Sequence, residues 1–437
     1  MARSDGFLQT PEGWANQRAA RFPRTILVKV DEEPERKGRR GSRSAAAFQW
    51  QVLNDMEAFG RHAFTGPVAL DLHFVSERKN PPAIYSLAKH VLDVLGTAAP
   101  ESTRPGRRSV LYKDDNQVRL LYVSHRQRWN STGKPNGCTY LTARPLRDVI
   151  ADLRLAEELR SGEYDGWDDY DRAESDPFWC PRILDDDPWF EDQGEPSGPY
   201  RQILAFLDDY TRYIRLERRQ QEHLAVTDAV LTWALTMLMG KENLPPRLRS
   251  QPEVSMRAAE LEAMNRRTLL SGPLTLPLPG LPTAGGQGGQ FRRMVRGQLE
   301  AFRRQWPLFR SLVVPVKVTF LVVPPELGKD LDNIALTCLP IVHEVLRPHI
   351  EPHYLSPVFT HRDGDPRRAE ALRRLQSLNT QSVTAYQVVQ LPRSPDDPPE
   401  GTLRLALGRA APYGSWWKRV ADYAGDRLEQ VQTDGYG

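Results

Sequence analysis

Lys113-Asp114-Asp115-Asn116-Gln117-Val118 is a charged turn followed by alternating apolar and polar side chains, which predicts a strand from Gln117 to Ser124. A second charged segment, Lys329-Asp330-Leu331-Asp332-Asn333, lies about 215 residues further along and opens an apolar run of helical period. Both segments place closely spaced carboxylates at the edge of an apolar element. Carboxylates in that arrangement hold Mg²⁺ against a phosphate group. The sequence therefore predicts an α/β protein with a candidate magnesium site.

Strands and helices precede the first turn in a regular order. Alternating side chains predict strands at Thr25–Val30 and Val68–Phe74, and helical spacing predicts helices at about Ala45–Gly60 and Ser86–Leu95. The loop between the first strand and the first helix is basic. Its cationic side chains are those of Lys37, Arg39, Arg40 and Arg43. Flexible basic loops of this kind commonly contact phosphates.

The same order recurs after residue 270. A short strand and a glycine-rich loop lead to a basic helix, a strand, the Asp-Leu-Asp-Asn helix and two final strands. These predicted elements are Leu274–Leu278, Phe291–Trp306, Val314–Val323, Leu331 to about Val345, Val383–Gln390 and Thr402–Leu407. The basic helix carries Arg292, Arg293, Arg296, Arg303 and Arg304, which form either a DNA-contacting face or a solvated helix face.

A nearly constant offset relates the two series of elements. Pro67 corresponds to Pro315 with an offset of 248, and Lys89 corresponds to Leu336 with an offset of 247. Agreement across a strand, a loop and a helix indicates an internal repeat. We therefore predict an N-terminal unit at 1–150, a middle region at 151–270 and a C-terminal unit at 271–437.

The middle region has a different composition. Residues 163–195 contain 13 Asp and Glu against two Arg, interleaved with tryptophan and phenylalanine. Long amphipathic helices are predicted after it, at about Tyr200–Met239 and Pro252–Leu270. The acidic stretch is either a surface loop anchored by its aromatic side chains or a segment that docks on a basic surface of this chain or of a partner protein.

Composition restricts the class of protein only loosely. The net charge of +3 does not by itself indicate nucleic acid, but 59 residues are Lys or Arg and only ten of them are Lys. Arginine binds phosphate oxygens bidentately, although a GC-rich genome produces the same excess. Cys138, Cys180 and Cys338 have no zinc or disulfide spacing. No apolar leader or membrane-length stretch is present, so we expect a cytoplasmic protein.

The element order and the two charged segments resemble the RusA-like family of Holliday-junction resolvases, over roughly residues 22–130 and 270–408. In the N-terminal copy Lys89 stands at the family's lysine position, and Lys113–Val118 matches its Lys-Asp-Asp-x-Gln-Ile turn. The family's Asp-x-Asp-Asn helix start is missing there, because Ala83–Ser86 occupy its place. The N-terminal copy therefore keeps the turn and the lysine alone.

The C-terminal copy shows the complementary pattern of the same resemblance. Asp330–Asn333 match the family's helix start, but Leu336 replaces the lysine. The corresponding turn, Asn379–Val383, lacks both carboxylates. The family works as a homodimer, so the resemblance implies an intramolecular pseudo-dimer of two RusA-like mixed-sheet α/β (α+β) units with a helical insertion between them.

The resemblance also implies roles for individual residues. Asp330, Asp332 and Asp115 would bind Mg²⁺ or Mn²⁺, with Asp114 and Lys89 completing the catalytic set. Contacts to DNA would come from Lys37, Arg39, Arg40, Arg43, Lys113, Asn333, Arg292, Arg293 and Arg296. Each site of the family is taken to lie within one protomer, which predicts that the two carboxylate fragments fall in separate sites. A composite site would require the two halves to face each other.

Simpler interpretations stay open for each fragment. Asp332 or Asn333 serves equally well as a helix N-cap, and Asp114-Asp115-Asn116 is also ordinary turn chemistry. Two functions follow from the sequence. One is a Mg²⁺-dependent endonuclease that cleaves branched DNA, and the other is a catalytically inactive module that binds branched DNA or scaffolds a partner through the middle region.

Overall fold

The computed structural model describes most of the two predicted units and part of the middle region. The described residues are 7, 10–36, 43–78, 80–96, 109–127, 137–161, 203, 207, 210–240, 252–280, 288–325, 331–348, 366–410 and 414–434. The acidic stretch at 163–195 lies outside them, so the predictions made for it are untouched by the fold.

Eight strands and ten helices make up the regular structure of the described residues. The strands are β1 (Ile26–Val30), β2 (Val68–Ser76), β3 (Val118–Gln127), β4 (Cys138–Pro145), β5 (Leu276–Leu278), β6 (Val316–Val323), β7 (Val383–Gln390) and β8 (Thr402–Arg409). The helices are α1 (Pro11–Arg21), α2 (Arg43–Ala58), α3 (Ile84–Gly96), α4 (Leu146–Ser161), α5 (Tyr210–Gly240), α6 (Pro252–Ser271), α7 (Gly288–Gln305), α8 (Leu331–Leu346), α9 (Pro366–Thr380) and α10 (Trp416–Asp434). The predicted mixed α/β class is confirmed.

All eight strands belong to one mixed sheet in the order β1-β4-β2-β3-β7-β6-β8-β5. Read outward from the central β3–β7 pair, the two halves have the same order. In each half the two inner strands are parallel, and the outer strands add antiparallel. The register irregularity in β2 after Val68 recurs in β6 after Val316. The offset of 248 is the same as that between Pro67 and Pro315.

The central pair of strands is antiparallel, with Tyr122 opposite Gln387. Tyr122 is the fifth residue of β3 and Gln387 the fifth of β7. The register extends evenly on both sides, from Leu120 opposite Val389 to Ser124 opposite Ala385. The two halves therefore meet along an almost symmetric seam, and their apolar strands form one continuous sheet.

Helices cover both faces of the sheet, because its strands are apolar on both sides. On one face α2, α3, α7, α8 and α9 enclose the larger core cluster, which includes Leu70, Leu72, Val318 and Phe320 from the strands. On the other face α4, α6, α10 and the C-terminal half of α5 enclose a second cluster around Trp416. The architecture is thus three layers, helix–sheet–helix.

Helix α5 links the middle region to the sheet through a buried ionic cluster. The Lys317 ammonium on β6 lies 2.5 Å from Asp228 of α5, and Arg419 of α10 lies 3.0 Å from the other carboxylate oxygen. Gly408 pairs with Lys317 in the sheet, and a Cβ there would lie 2.7 Å from the Asp228 carboxylate. The glycine therefore makes room for the ion pair.

By length and composition α5 is the one helix of the described chain that meets the criteria for a membrane span. However, 61% of its most apolar window is buried inside the fold, where it contacts α4, α6 and β8. The apolar side chains of α5 therefore serve as core residues.

Most predicted elements are found within a few residues of their expected limits. The strand β4 and the helices α1, α4, α9 and α10 were not predicted from the sequence. The alternation of Thr139, Leu141 and Ala143 was a readable strand signal, since these side chains are buried against the core. The predicted domain boundary at 150 falls inside α4.

Candidate metal and nucleic-acid site

The Lys113–Gln117 turn is rigidly held by its own side chains. Asp114 accepts a hydrogen bond from the backbone N–H of Asn116 at 2.9 Å and caps a short 3₁₀ turn from Asp115 to Gln117. The side-chain oxygen Oε1 of Gln117 accepts hydrogen bonds from the backbone N–H groups of Lys113 and Asp114. The bond from Asn116 is the largest cause that lowers the pKa of Asp114, so this carboxylate stays ionised.

The same glutamine fastens the turn to the rest of the N-terminal half. Its Nε2 donates to the carbonyl oxygens of Phe64 and Gly66, which precede β2, at 3.1 and 3.0 Å. Tyr112 donates its hydroxyl to the carbonyl oxygen of Leu92 near the end of α3. The turn is therefore fixed at the start of β3 and beside the C-terminal end of α3.

Asp115 points toward α3. Its carboxylate lies 3.9 Å from the Lys89 ammonium, which also lies 3.2 Å from Asp93 one turn further along the helix. The side chains of Lys89 and Asp115 are 21% and 28% exposed, so solvent or a ligand can reach them. Lys89 and Asp115, two of the residues predicted to belong to the catalytic set, are thus in contact with each other.

The start of α8 lies at the same edge of the sheet as this turn. Near the C-terminal end of α8, His343 Nδ1 lies 2.7 Å from the Ser382 hydroxyl, immediately before β7 begins. The rise from Leu331 to His343 is about 18 Å, and β7 is about 26 Å long. Helix α8 therefore runs along most of β7 and begins near the end of that strand.

The end of β7 is also where β3 begins, because the two strands are antiparallel and Leu120 pairs with Val389. Helix α8 contacts both β3 and α3. The end of the central strands at which β3 begins and β7 ends is called the carboxylate edge here. It therefore holds the start of α8, the end of α3 and the Lys113–Gln117 turn. The start of α8 and the turn that carries Asp115 therefore share one end of the central strands, because each helix crosses the sheet before the next turn is reached. Whether the two carboxylate fragments form one site or two stays a prediction, since Asp330 and the side chain of Asp332 lie outside the described residues.

The opposite ends of these strands lie beside two segments without carboxylates. They are Ala83–Ser86 at the start of α3 and the Asn379–Val383 turn before β7. At this edge Gln381 Nε2 lies 2.9 Å from His125 Nδ1. Burial lowers the pKa of His125 to about 4, so the ring is neutral. The Gln381–His125 pair at this edge is thus uncharged, whereas Asp115 and Lys89 at the other edge form an ion pair.

The acidic end of α8 is described only in part. Asp330 lies outside the described residues, as does the side chain of Asp332, whose backbone forms the first turn of the helix. Asn333 is exposed, and its carbonyl oxygen accepts a hydrogen bond from Thr337. Among the described side chains no three of His, Cys, Asp and Glu are grouped closely enough to hold a metal ion.

The predicted DNA-contacting residues are divided between described and undescribed parts. Lys37, Arg39, Arg40 and the Arg43 side chain lie outside the described residues. Lys113, Arg292 and Arg293 are exposed, whereas Arg296 forms an ion pair with Glu344 at 2.5 Å. Phe291, Val295 and Leu299 bury one face of α7. On the rest of the helix Arg304 is exposed as well, whereas Arg303 donates a hydrogen bond to the carbonyl oxygen of Val345.

The sequence analysis missed two polar groups that line a cavity beside α7, Arg404 and His223. Neither stands in a recognisable motif, so no local signal was available for them. Comparison with known proteins yielded no match to any family model, any curated protein or any solved structure.

Proposed function

We propose that the chain is a structure-selective DNA-binding protein that cleaves phosphodiesters in branched DNA with a single site built by both halves. In this proposal the molecule is a covalently linked pseudo-dimer of the RusA-like kind. The observation that supports it best is the shared sheet edge, where the start of α8 and the Lys113–Gln117 turn both lie.

The donor set suits a hard divalent cation. Asp330, Asp332 and Asp115 would supply carboxylate oxygens, which Mg²⁺ and Mn²⁺ prefer. The Lys89 ammonium lies 3.9 Å from Asp115, so that carboxylate already faces a positive charge. When bound, the ion would polarise a phosphoryl oxygen and lower the pKa of a coordinated water.

The protein's own groups would hold this arrangement in place. The hydrogen bonds of Asp114 and Gln117 fix the turn that carries Asp115, so little ordering is needed on binding. Lys89 is shared between Asp93 and Asp115 and would neutralise a phosphate oxygen once a cation takes over Asp115. Lys113 and Asn333, both exposed, would contact the DNA backbone.

A catalytically inactive DNA-binding module is the second candidate. The observation that favours it is the ion pair of Asp115 with Lys89, which satisfies the carboxylate without a metal. In that case the exposed arginines of α7 would supply the affinity, and the middle region would be free to engage a partner protein.

The two candidates are separated by strand cleavage of a labelled four-way junction in Mg²⁺ or Mn²⁺, with binding followed in parallel by gel shift. Wild type, Asp115→Asn and Asp332→Asn would be compared with a control at the opposite edge, Thr380→Ala. Loss of cleavage in both aspartate variants, with binding and the control unchanged, supports one composite site.

Other outcomes lead elsewhere. Tight binding without cleavage by wild type would support the inactive module. Loss in one aspartate variant alone would restrict the site to one half. No binding even at low salt would remove the nucleic-acid function altogether, since phosphate contacts strengthen as salt falls.

A further inference from the structure

A cavity of about 550 Å³ lies beside the β5–β8 edge of the sheet, away from the carboxylate edge. Helix α5 and the C-terminal end of α7 form its other walls. This volume falls in the range of pockets that bind small organic molecules. The cavity is built by the C-terminal half together with α5, and therefore depends on the middle region.

The cavity exists because the C-terminal half departs from the pattern of the N-terminal half. In the N-terminal half β1 pairs with β4 over five residues, Ile26 to Val30. In the C-terminal half β5 pairs with β8 over only Leu276 to Leu278. The segment before β5 turns away from β8 and leaves the wall at Ala406 and Leu407 open to the cavity.

Arg404 of β8 fastens the segment before β5 by hydrogen bonds from its side chain. Its Nε donates to the Thr275 hydroxyl at 2.5 Å, and its Nη2 donates to the carbonyl oxygens of Thr275 and Gly272 at 2.6 and 3.3 Å. All of these acceptors are neutral. Within the described chain Arg404 pairs with no carboxylate, and no acidic residue lines the cavity.

The remaining walls are mainly apolar. Leu224, Val230, Phe302 and Trp306 contribute to them. His223 also lines the cavity, and its ring packs against Phe309 with the ring centroids 5.1 Å apart. Burial lowers the pKa of His223 to about 4, so this ring is neutral and Arg404 supplies the positive charge of the lining.

We propose that this cavity binds a small organic anion with an aromatic or branched apolar body, its charged group paired with Arg404. The apolar body would displace water from the walls formed by α5 and α7, which supplies most of the affinity. The anion would give the partly buried guanidinium the charged acceptor that its neutral partners do not provide. This binding is independent of the proposed nuclease function.

The proposal is tested by titrating the protein with two fluorescent probes that share one apolar body. 8-Anilinonaphthalene-1-sulfonate carries an anion, and N-phenyl-1-naphthylamine is its neutral analogue. Wild type is expected to bind one equivalent of each, and to bind the anion about tenfold more tightly, as one charge-assisted hydrogen bond provides.

Variants distinguish the pocket from adventitious sites. Arg404→Gln keeps a donor for the Thr275 carbonyl oxygen and is expected to remove the preference for the anion. Val230→Phe, which fills the cavity from α5, is expected to abolish binding of both probes. Arg215→Gln, an exposed arginine on the same helix, serves as the matched control and is expected to leave both affinities unchanged.

The proposal is overturned if wild type binds neither probe, or if the anionic probe binds equally to wild type, Arg404→Gln and Val230→Phe. Circular dichroism establishes whether each variant is folded. Should Arg404→Gln fail to fold, Val230→Phe decides alone: retained saturable binding would place the probe elsewhere and refute the assignment.

Discussion

Replacing Lys317 by Met tests the buried ionic cluster that joins α5 to the sheet. Lys317 and Asp228 have side chains only 4% and 7% exposed, and Arg419 is the second cation of the cluster. Burial is the largest influence on Lys317 and lowers the pKa of its ammonium, with the charge of Asp228 opposing it. Desolvation of the ammonium therefore outweighs its attraction to the carboxylate.

The destabilisation in Lys317→Met should accordingly come from the carboxylate that remains. Breaking a buried pair by removing one partner costs about 3–5 kcal/mol, and we expect about 3 kcal/mol because Arg419 still contacts Asp228. The double variant Lys317→Met, Asp228→Leu leaves only the more exposed Arg419 and should recover most of that loss, since well-packed apolar replacements of buried pairs are often neutral.

Denaturation by guanidinium chloride, with the midpoint and slope recorded for each variant, measures these differences. The matched control is Lys29→Met, which removes a lysine whose ion pair with Asp31 is half exposed. This change should leave the denaturation midpoint close to that of wild type. A double variant as unstable as Lys317→Met would refute the reasoning, because the loss would then arise from packing around the lysine.

Three further predictions concern pH, salt and cleavage pattern. Burial raises the pKa of Asp71 from 3.8 to about 7, so its stabilising contribution is complete below about pH 4 and is lost as pH rises through about 7. In Asp71→Asn the decline of stability with rising pH, measured by thermal denaturation, should be smaller. An unchanged pH profile would contradict the assignment of Asp71 as a buried, protonated acid. Arg292→Gln and Arg293→Gln should each reduce the slope of log affinity against log salt by about 1, measured on a branched duplex, while Arg215→Gln should not. If the slopes of Arg292→Gln and Arg293→Gln equal that of wild type, DNA does not bind at α7. If the protein has a single carboxylate site, it should cut one strand of a supercoiled plasmid cruciform per binding event, and nicked circular plasmid should appear first. Linear plasmid as the first product would argue for a second site.

Local patterns were sufficient for most of the strands and for the internal offset. The alternation in Val68–Phe74 and the apolar run of Val316–Val323 are properties of neighbouring residues, and the structure gives both as strands. The strand β4 was missed despite its alternation. It contains neither of the two charged segments, so no motif stands beside its alternating pattern.

The arrangement of the carboxylate edge could not be read from the sequence, because it depends on pairing between distant strands. The antiparallel register of β3 on β7 brings Leu120 beside Val389, some 270 residues away. Reversing that direction would place Asp115 at the other edge from the start of α8. The cavity could not be predicted for the same reason, since Arg404 and His223 are about 180 residues apart and line one cavity only in the folded chain.

The central seam has a consequence for the autonomy of the halves. Because β3 and β7 satisfy each other's backbone groups, either half produced alone would expose a long unpaired edge strand. Such a fragment would pair with a copy of itself, and both ends of the resulting sheet would then carry the same single carboxylate fragment. Covalent linkage favours the pairing of β3 with β7 over this self-association, so it keeps two different half-sheets together.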